Sequence, residues 1–417
     1  MESDNGKLIK AGGRIHYGWY IVFAGSLCIF AGLGFGRFAL GMLLPAMASS
    51  LHLSYSQMGY ISTANFAGYL VAVLLAGYCI GRIGARRLIF YALLLVGISM
   101  LLVGCAGSFT VVLSCYTLTG IGSGLSNVPM MALVSSWFTS KLRGRAAGFI
   151  VIGSGYAILL TGKLVPYLNT VWTADGWRLN WLVLGGAVIL IAFICLAVLR
   201  DTPYEIGLTP VGSHPPGAMV DDIHIVTKDN TFSRKDIYHL GAIYFIFGCT
   251  YVIYATFIVT YFVRERGLTE AGAGNLWSMV GLLSLLSGPV FGTLSDKFGR
   301  RAGLIVVFVF QAAAYLLVAV KLPEQCLYLS IGCYGVVAWS IPSIMAALAG
   351  DLAGPKRAAS VFGFITFIFA WGQIIGPAVA GYLAEVTGTF ASSFLLAAAT
   401  VIVGILLTCR LRKFTSH

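Results

Sequence analysis

"GYCIGRIGARR" at residues 77–87 and "GTLSDKFGRRA" at residues 292–302 align without a gap, at an offset of 215 residues. "GFI" recurs at 148–150 and 363–365 with the same offset. Each longer copy follows one apolar stretch and precedes another. A shared offset in two separate segments makes the chain a duplication, one half lying on each side of a polar stretch near residue 200. That reading decides the architecture, and composition supports it. Of the 417 residues, 58% are hydrophobic and only 10% charged, against roughly 25% charged in an average soluble domain. Mean hydropathy is +0.88. Too few polar side chains are present to cover the surface of a water-soluble body, so the lipid bilayer is the expected solvent.

A helix needs about 20 apolar residues to cross the hydrocarbon. Twelve stretches qualify: 17–48, 57–81, 87–107, 109–138, 145–168, 180–199, 237–263, 271–294, 302–320, 326–350, 358–383 and 388–409. The expected fold class is an all-α membrane protein with twelve transmembrane helices in two pseudo-symmetric six-helix bundles. Residues 1–16 read as an N-terminal tail, 17–199 as the first bundle, 200–236 as a loop, 237–409 as the second bundle and 410–417 as a tail. The loop contains "HPPG" and "DDIHIVTKDN", whose proline, glycine and charge content argues against a folded domain.

Orientation follows the basic residues. With the N-terminus placed in the cytoplasm, 21 of the 27 lysines and arginines fall on the cytoplasmic side. Four fall opposite (Arg178, Arg264, Arg266 and Lys321), and Arg37 and Lys163 lie within spans. Both termini are therefore expected inside a plasma membrane, a bacterial inner membrane. The net charge of +12 needs no nucleic acid to explain it. None of the nine cysteines forms a CxxC pair, so neither a disulfide framework nor a zinc site is indicated. No Walker sequence or HExxH is present, so neither an enzyme nor a metal or other cofactor is expected. A monomer is expected to suffice. Repeated six-helix halves imply a transporter with its substrate near the midplane.

"GTLSDKFGRR" resembles the loop motif of the major facilitator superfamily, found between helices 2 and 3 and again between 8 and 9. In the second half Gly292, Asp296, Gly299, Arg300 and Arg301 fit it. In the first half Gly77, Gly84, Arg86 and Arg87 fit, but Gly81 stands at the usual aspartate. The resemblance implies that this aspartate helps to latch the outward-open state, a role that Gly81 cannot itself fill in the first half; the alternative reading is that the motif serves topology and folding alone. "HYGWY" at 16–20 and residues 116–157 resemble the oxalate/formate and monocarboxylate carriers; "GFGRFALGMLLPAM" and "ANFAGYL" resemble YbfB/YjiJ-like bacterial carriers. Drug/proton antiporters usually have an arginine ahead of a glycine run in helix 4 and a Gly-Pro signature in helix 5. Both are missing here. The aspartate and arginine typical of helix 8 in monocarboxylate carriers are missing too, in "NLWSMVGLLSLLSGPVFG" at 275–292.

Arg37 is the residue that most needs a reason. It sits about two-thirds of the way along the first span, and no acidic residue lies in the interior of any span. An unpaired buried cation is costly unless water, carbonyls or an anionic ligand satisfies it. Two readings follow: Arg37 receives a substrate carboxylate, or it snorkels outward or bonds neighbouring carbonyls. Asn65 and Tyr69 on helix 2, Asn127 on helix 4, Tyr251 and Tyr254 on helix 7, Tyr334 on helix 10, and Trp371 and Gln373 on helix 11 are candidates to share its cavity. Taken singly, each is as readily a packing residue. Lys163 reads as a snorkelling lysine, with a second anion attractor as the alternative. The preferred function is secondary transport of a small organic anion, a mono- or dicarboxylate, by proton symport or anion exchange. Export of a neutral or cationic metabolite or drug is the alternative, and a non-transporting receptor the third.

Overall fold

The computed structural model describes residues 16–172, 175–213 and 234–411. Most of both expected tails and the middle of the central loop lie outside the described residues. Twelve helices are long and apolar enough to cross a membrane. They are α1 Gly18–Ser50, α2 Tyr55–Ile83, α3 Ala85–Gly104, α4 Phe109–Trp137, α5 Leu142–Val171 and α6 Gly176–Val198, then α7 Arg234–Arg264, α8 Glu270–Phe298, α9 Arg300–Ala319, α10 Gln325–Gly354, α11 Arg357–Thr387 and α12 Ala391–Cys409. Large apolar side chains such as Leu74, Leu190, Leu286 and Leu406 point outward from them. Water would penalise that surface and hydrocarbon does not. The chain is a multi-pass membrane protein.

The duplication is legible in the backbone. α2 and α8 begin and end 215 residues apart, as do α3 and α9. The offset extends to the residues that start and separate them. Ser54 caps α2 by accepting the Gln57 N–H, and Thr269 caps α8 by accepting the Gly272 N–H. Between helices, Gly84 and Gly299 take φ of +80° and +90°, a region open to glycine and strained for any L side chain. These two glycines turn the chain from α2 into α3 and from α8 into α9. Helix termini differ from the expected bounds by a few residues. The largest extensions, four residues each, are at the start of α6 and at the ends of α8, α10 and α11.

The two bundles meet through α2 with α11, α5 with α8, and α1 with α7. Their closest approaches lie in the halves of the helices remote from the basic loops. A Cβ on Gly59 would run into the Pro377 carbonyl, and one on Gly162 into the Gly274 carbonyl. Side chains tie the same end. Lys163 Nζ donates to Asn275 Oδ1 at 2.6 Å, Asn169 to Glu270 at 2.7 Å, and Thr63 Oγ1 to the Ile374 carbonyl at 2.8 Å. At the other end, marked by Arg86, Arg143, Arg300 and Arg357, α5 and α8 part. There a cleft of about 610 Å³ opens between α5, α8 and α10. A hollow of the same volume lies at the opposite end, lined by Ser49, Asn169 and Glu270, but there the bundles are tied across it, whereas at the basic end they part.

Both loop motifs lie at the basic end. In the second, Arg300 pairs with Asp296 and, at 2.8 Å, with Asp351 of α10, and Arg301 reaches the Leu411 carbonyl. In the first, where Gly81 stands at the aspartate position, the nearby carboxylate comes from outside the motif and meets the backbone. Asp201, just past α6, accepts the Arg86 backbone N–H at 2.7 Å, and the Arg86 side chain donates twice to the Leu196 carbonyl. Arg87 is exposed, and Gly77 and Gly292 face open space. The start of the central loop is ordered against this end. Val211 N–H bonds the Trp137 carbonyl, and Thr139 N–H bonds the Val211 carbonyl.

Candidate substrate site around Arg37

Helix α1 is not a uniform α-helix. Phe30–Phe38, sequence FAGLGFGRF, runs as a π-helix with Arg37 in its last turn. Such turns are rare because their hydrogen-bond pattern leaves backbone groups offset from the regular ladder. Here side chains of neighbouring helices take up the carbonyls. Ser123 Oγ donates to the Gly32 carbonyl at 2.6 Å, Asn65 Nδ2 to the Gly36 carbonyl at 3.2 Å, and Tyr116 to the Arg37 carbonyl at 3.0 Å. The alternating glycines permit the contact. A Cβ on Gly32 or Gly36 would meet the Ser126 or Ser123 hydroxyl, and one on Gly34 would overlap the Ala157 methyl of α5.

This packing fixes where Arg37 points. Its guanidinium carbon lies 4.4 Å from the Phe66 ring centroid and 4.1 Å from that of Tyr69. Contacts of this kind attract a cation by about 0.5–2 kcal/mol. They do not satisfy its N–H groups. Nε and Nη2 are both buried and unpartnered, and the three ion pairs among the described residues all leave Arg37 out. The two free nitrogens form one edge of the guanidinium plane, the fork that a carboxylate fills with two parallel hydrogen bonds. Tyr69 is held in place by Asn127, whose Nδ2 donates to its hydroxyl at 2.7 Å.

From the second bundle, Tyr251 lines the same pocket and its hydroxyl lies within electrostatic reach of Arg37. Gln373 donates to that hydroxyl. Ser62 and Thr256 bond each other across the bundle interface at 3.1 Å. The space left in the pocket is about 10 Å³, room for about one water. Trp339 stands between this pocket and the cleft. Its ring packs on Phe38 at 5.0 Å and on Tyr251 at 6.0 Å, and it also lines the cleft. Its indole Nε1 is buried and unpartnered. Trp339 sits at a break in α10, where Ala338 and Trp339 leave helical hydrogen bonding.

Of the candidates from the sequence, Arg37, Asn65, Tyr69, Asn127, Tyr251 and Gln373 come together. Asn65 does so largely as a support: its amide bonds the Gly36 and Tyr116 carbonyls, leaving Oδ1 free toward the pocket. Tyr254 and Tyr334 stack in the core of the second bundle, bonded to Ser330 and to the Tyr251 carbonyl. Trp371 lies on an exposed stripe of α11 with Phe367 and Ile375, on the face away from Gln373. Lys163 bonds Asn275 at the closed end. Sequence reasoning passed over Phe38, Phe66, Tyr116 and Trp339. Only the "GLGFG" run beside Arg37 hinted at an unusual helix.

Residues 29–409 match the model of the family described as "Uncharacterised MFS-type transporter YbfB". The chain belongs to this family of the major facilitator superfamily. It is a membrane transporter and not an enzyme. It is 25% identical over 388 residues to the hexuronate transporter of Bacillus subtilis (strain 168), covering 87% of each chain. It is also 22% identical over 406 residues to human monocarboxylate transporter 2, covering 93% of this chain and 83% of the relative. Among solved structures, a bacterial homologue of the human lysosomal transporter Spinster, in an inward-facing and occupied conformation, superposes with a TM-score of 0.73. That match has 15% identity and covers 95% of this chain and 97% of the other, so the facilitator fold is common to both.

Proposed function

We propose that the protein is a secondary transporter that moves a small organic anion, a carboxylate, by alternating exposure of one central site. The observation that carries this reading is the Arg37 edge: two adjacent N–H groups, buried, held by aromatic rings and lacking any carboxylate partner. A resident salt bridge would have filled that fork. An anionic substrate fills it transiently. Relatives whose names specify hexuronate and monocarboxylate transport agree in the charge of their cargo.

The excess of lysine and arginine at one end supports a cytoplasmic placement of that end and of both termini, in a bacterial inner membrane. On that orientation the cleft faces the cytoplasm and the described conformation is inward-facing. The path runs from the cleft past Trp339 to Arg37, and rocking of the bundles exposes the same pocket outward. Because the pocket holds no more than a water, a carboxylate enters only as Phe38 and Trp339 separate. The two bundles function within one chain, as a monomer. Coupling is by proton symport or anion exchange, and two edge carboxylates are already engaged: Asp351 with Arg300 and Glu385 with the Ser56 N–H.

Uptake into proteoliposomes from a panel of labelled carboxylates, with and without a pH gradient, tests both parts. Carboxylate flux is expected. Dependence on an inward proton gradient selects symport, and dependence on internal anion selects exchange. Flux of amines or neutral solutes with none of any carboxylate would overturn the anion reading.

A further inference from the structure

The side-chain polar groups lining the Arg37 pocket are unequally free. Ser62 and Thr256 bond each other, Tyr116 bonds the Arg37 carbonyl, and the Asn65 amide is spent on two backbone carbonyls. What remains is rich in donors: Arg37 Nε and Nη2, and the Tyr251 hydroxyl, whose oxygen accepts from Gln373 and whose hydrogen is left to donate. Trp339 Nε1, in the wall, is another. Among the pocket-lining side-chain atoms with no partner at all, the one acceptor is Asn65 Oδ1. Around these groups the surface is aromatic. Phe66 and Tyr69 flank the cation, Phe38 lines the pocket with Trp339 packed on it, and beyond Tyr251 a stack continues through Phe247 at 4.8 Å and Phe369 at 6.0 Å. The adjoining cleft is walled mostly by apolar groups, among them Phe149, Ile152, Leu285 and Pro289, with Arg145 as its charged residue.

From this we infer that the substrate is a monocarboxylate with an aromatic or other apolar body, bearing neither a polyol chain nor a second carboxylate. The inference rests on the anion reading above and narrows it. One carboxylate saturates the Arg37 fork and accepts the Tyr251 hydrogen. A sugar acid brings several hydroxyl donors to a pocket with one wholly unpartnered acceptor, so most of its hydroxyls would have to share the lone pairs of groups already bonded to the protein. A second carboxylate would leave water for a site whose one cation is already taken. An aryl body instead trades water for contact with Phe38 and Trp339, in the offset or edge-on arrangements that rings favour. Trp339 is thereby the residue that selects the body of the substrate, as Arg37 selects its head.

The test is equilibrium binding to the purified full-length protein by calorimetry, with phenylacetate, acetate, glucuronate, succinate and the neutral isostere phenylacetamide. Phenylacetate is expected to bind at least about tenfold more tightly than glucuronate, succinate and phenylacetamide, a difference of about 1.4 kcal/mol. Trp339→Ala is expected to weaken phenylacetate about tenfold while changing acetate by less than about twofold, and Trp339→Phe to restore most of the loss. Melting temperatures accompany each variant, and Trp339→Phe keeps the ring should Trp339→Ala fold poorly. Glucuronate or succinate binding as tightly as phenylacetate would overturn the inference and leave the anion reading standing. Phenylacetamide binding as well as phenylacetate would overturn the anion reading itself. Binding of none of the five, or equal loss of acetate and phenylacetate in Trp339→Ala, also overturns the inference.

Discussion

Replacing Arg37 separates a ligand group from a structural one, because the two roles predict opposite signs for stability. The guanidinium makes two aromatic contacts, about 0.5–1 kcal/mol each at modest desolvation. Against this, the buried and unpartnered Nε and Nη2 cost about 1–3 kcal/mol each. Arg37→Ala therefore removes a net burden from the empty protein, and its melting temperature without ligand should equal or exceed that of the wild type. Binding should move the other way. Charge-assisted hydrogen bonds contribute roughly 1.5–3 kcal/mol each. Losing both members of the Nε and Nη2 fork should weaken carboxylate binding on the order of a hundredfold or more. Arg37→Lys keeps the charge but not the fork, and should recover about half of that free energy. Ligand-induced thermal shift reads both quantities in one titration. Wild-type protein at 100 times Kd gains about 2.7 kcal/mol from ligand, and Arg37→Ala at the same concentration should gain almost nothing. A folded Arg37→Ala protein that binds carboxylates with wild-type affinity would refute the assignment. So would one whose only defect is a large fall in melting temperature, the mark of a side chain that merely props the π segment.

Three further outcomes follow from the packing and the ties between elements. Gly34→Ala forces a methyl onto Ala157, so it should destabilise by about 1–3 kcal/mol; Gly81→Ala, which faces open space, should be neutral or slightly stabilising, and thermal melts in detergent compare the two. Asp296→Asn leaves Arg300 its bond to Asp351 and lies far from Arg37, so it should slow transport with affinity changed less than about twofold; exposed ion pairs contribute only about 0–1 kcal/mol to stability. A disulfide between Lys163→Cys and Asn275→Cys should lock the closed end, abolishing uptake until a reductant is added. Unimpaired uptake by the fully cross-linked protein would mean that this end does not open during the cycle.

Much of the architecture could be read in advance because bilayer and duplication constrain the chain simply. Hydrocarbon demands long apolar helices, so twelve stretches became twelve spans. A repeat needs only two matching segments to fix an offset, and Gly84 with Gly299 then carried that offset into backbone geometry. The site was legible only where a charge violated the solvent rule, as Arg37 does. Polar residues without charge gave no such signal. Asn65, Tyr254 and Trp371 look alike in a linear reading, yet one braces the π segment, one packs a bundle core and one faces outward. Rotational position separates them, and within α1 the π segment alters that position for the residues after Phe30, Arg37 among them. Trp339 was invisible for a further reason: a tryptophan in an apolar run marks nothing until the break in α10 turns it toward Phe38.

On the alternating cycle proposed above, the π segment also bears on how one site would serve both sides. A straight α-helix with an arginine at this depth would owe its position to helix rotation alone, and any tilt of α1 would carry the charge with it. Here the position is set by three bonds from α2 and α4 to the Gly32, Gly36 and Arg37 carbonyls. All four helices that fix the cation, α1, α2, α4 and, through Ala157, α5, belong to the first bundle. The groups that close over it, Tyr251, Trp339 and Gln373, belong to the second. A rigid rotation of one bundle against the other therefore changes the covering of the cation and not its own setting. Substrate held at Arg37 would travel with the first bundle and exchange its aromatic cover. That division predicts that substitutions at Ser123, Asn65 or Tyr116 act on affinity through the aim of Arg37, whereas those at Trp339 or Gln373 act on the rate of exposure as well. Asn65→Ala should thus weaken binding with little change in the maximal exchange rate, measured in proteoliposomes under saturating substrate. An unchanged affinity with a slowed exchange would place Asn65 in the moving contact and not in the frame that holds Arg37.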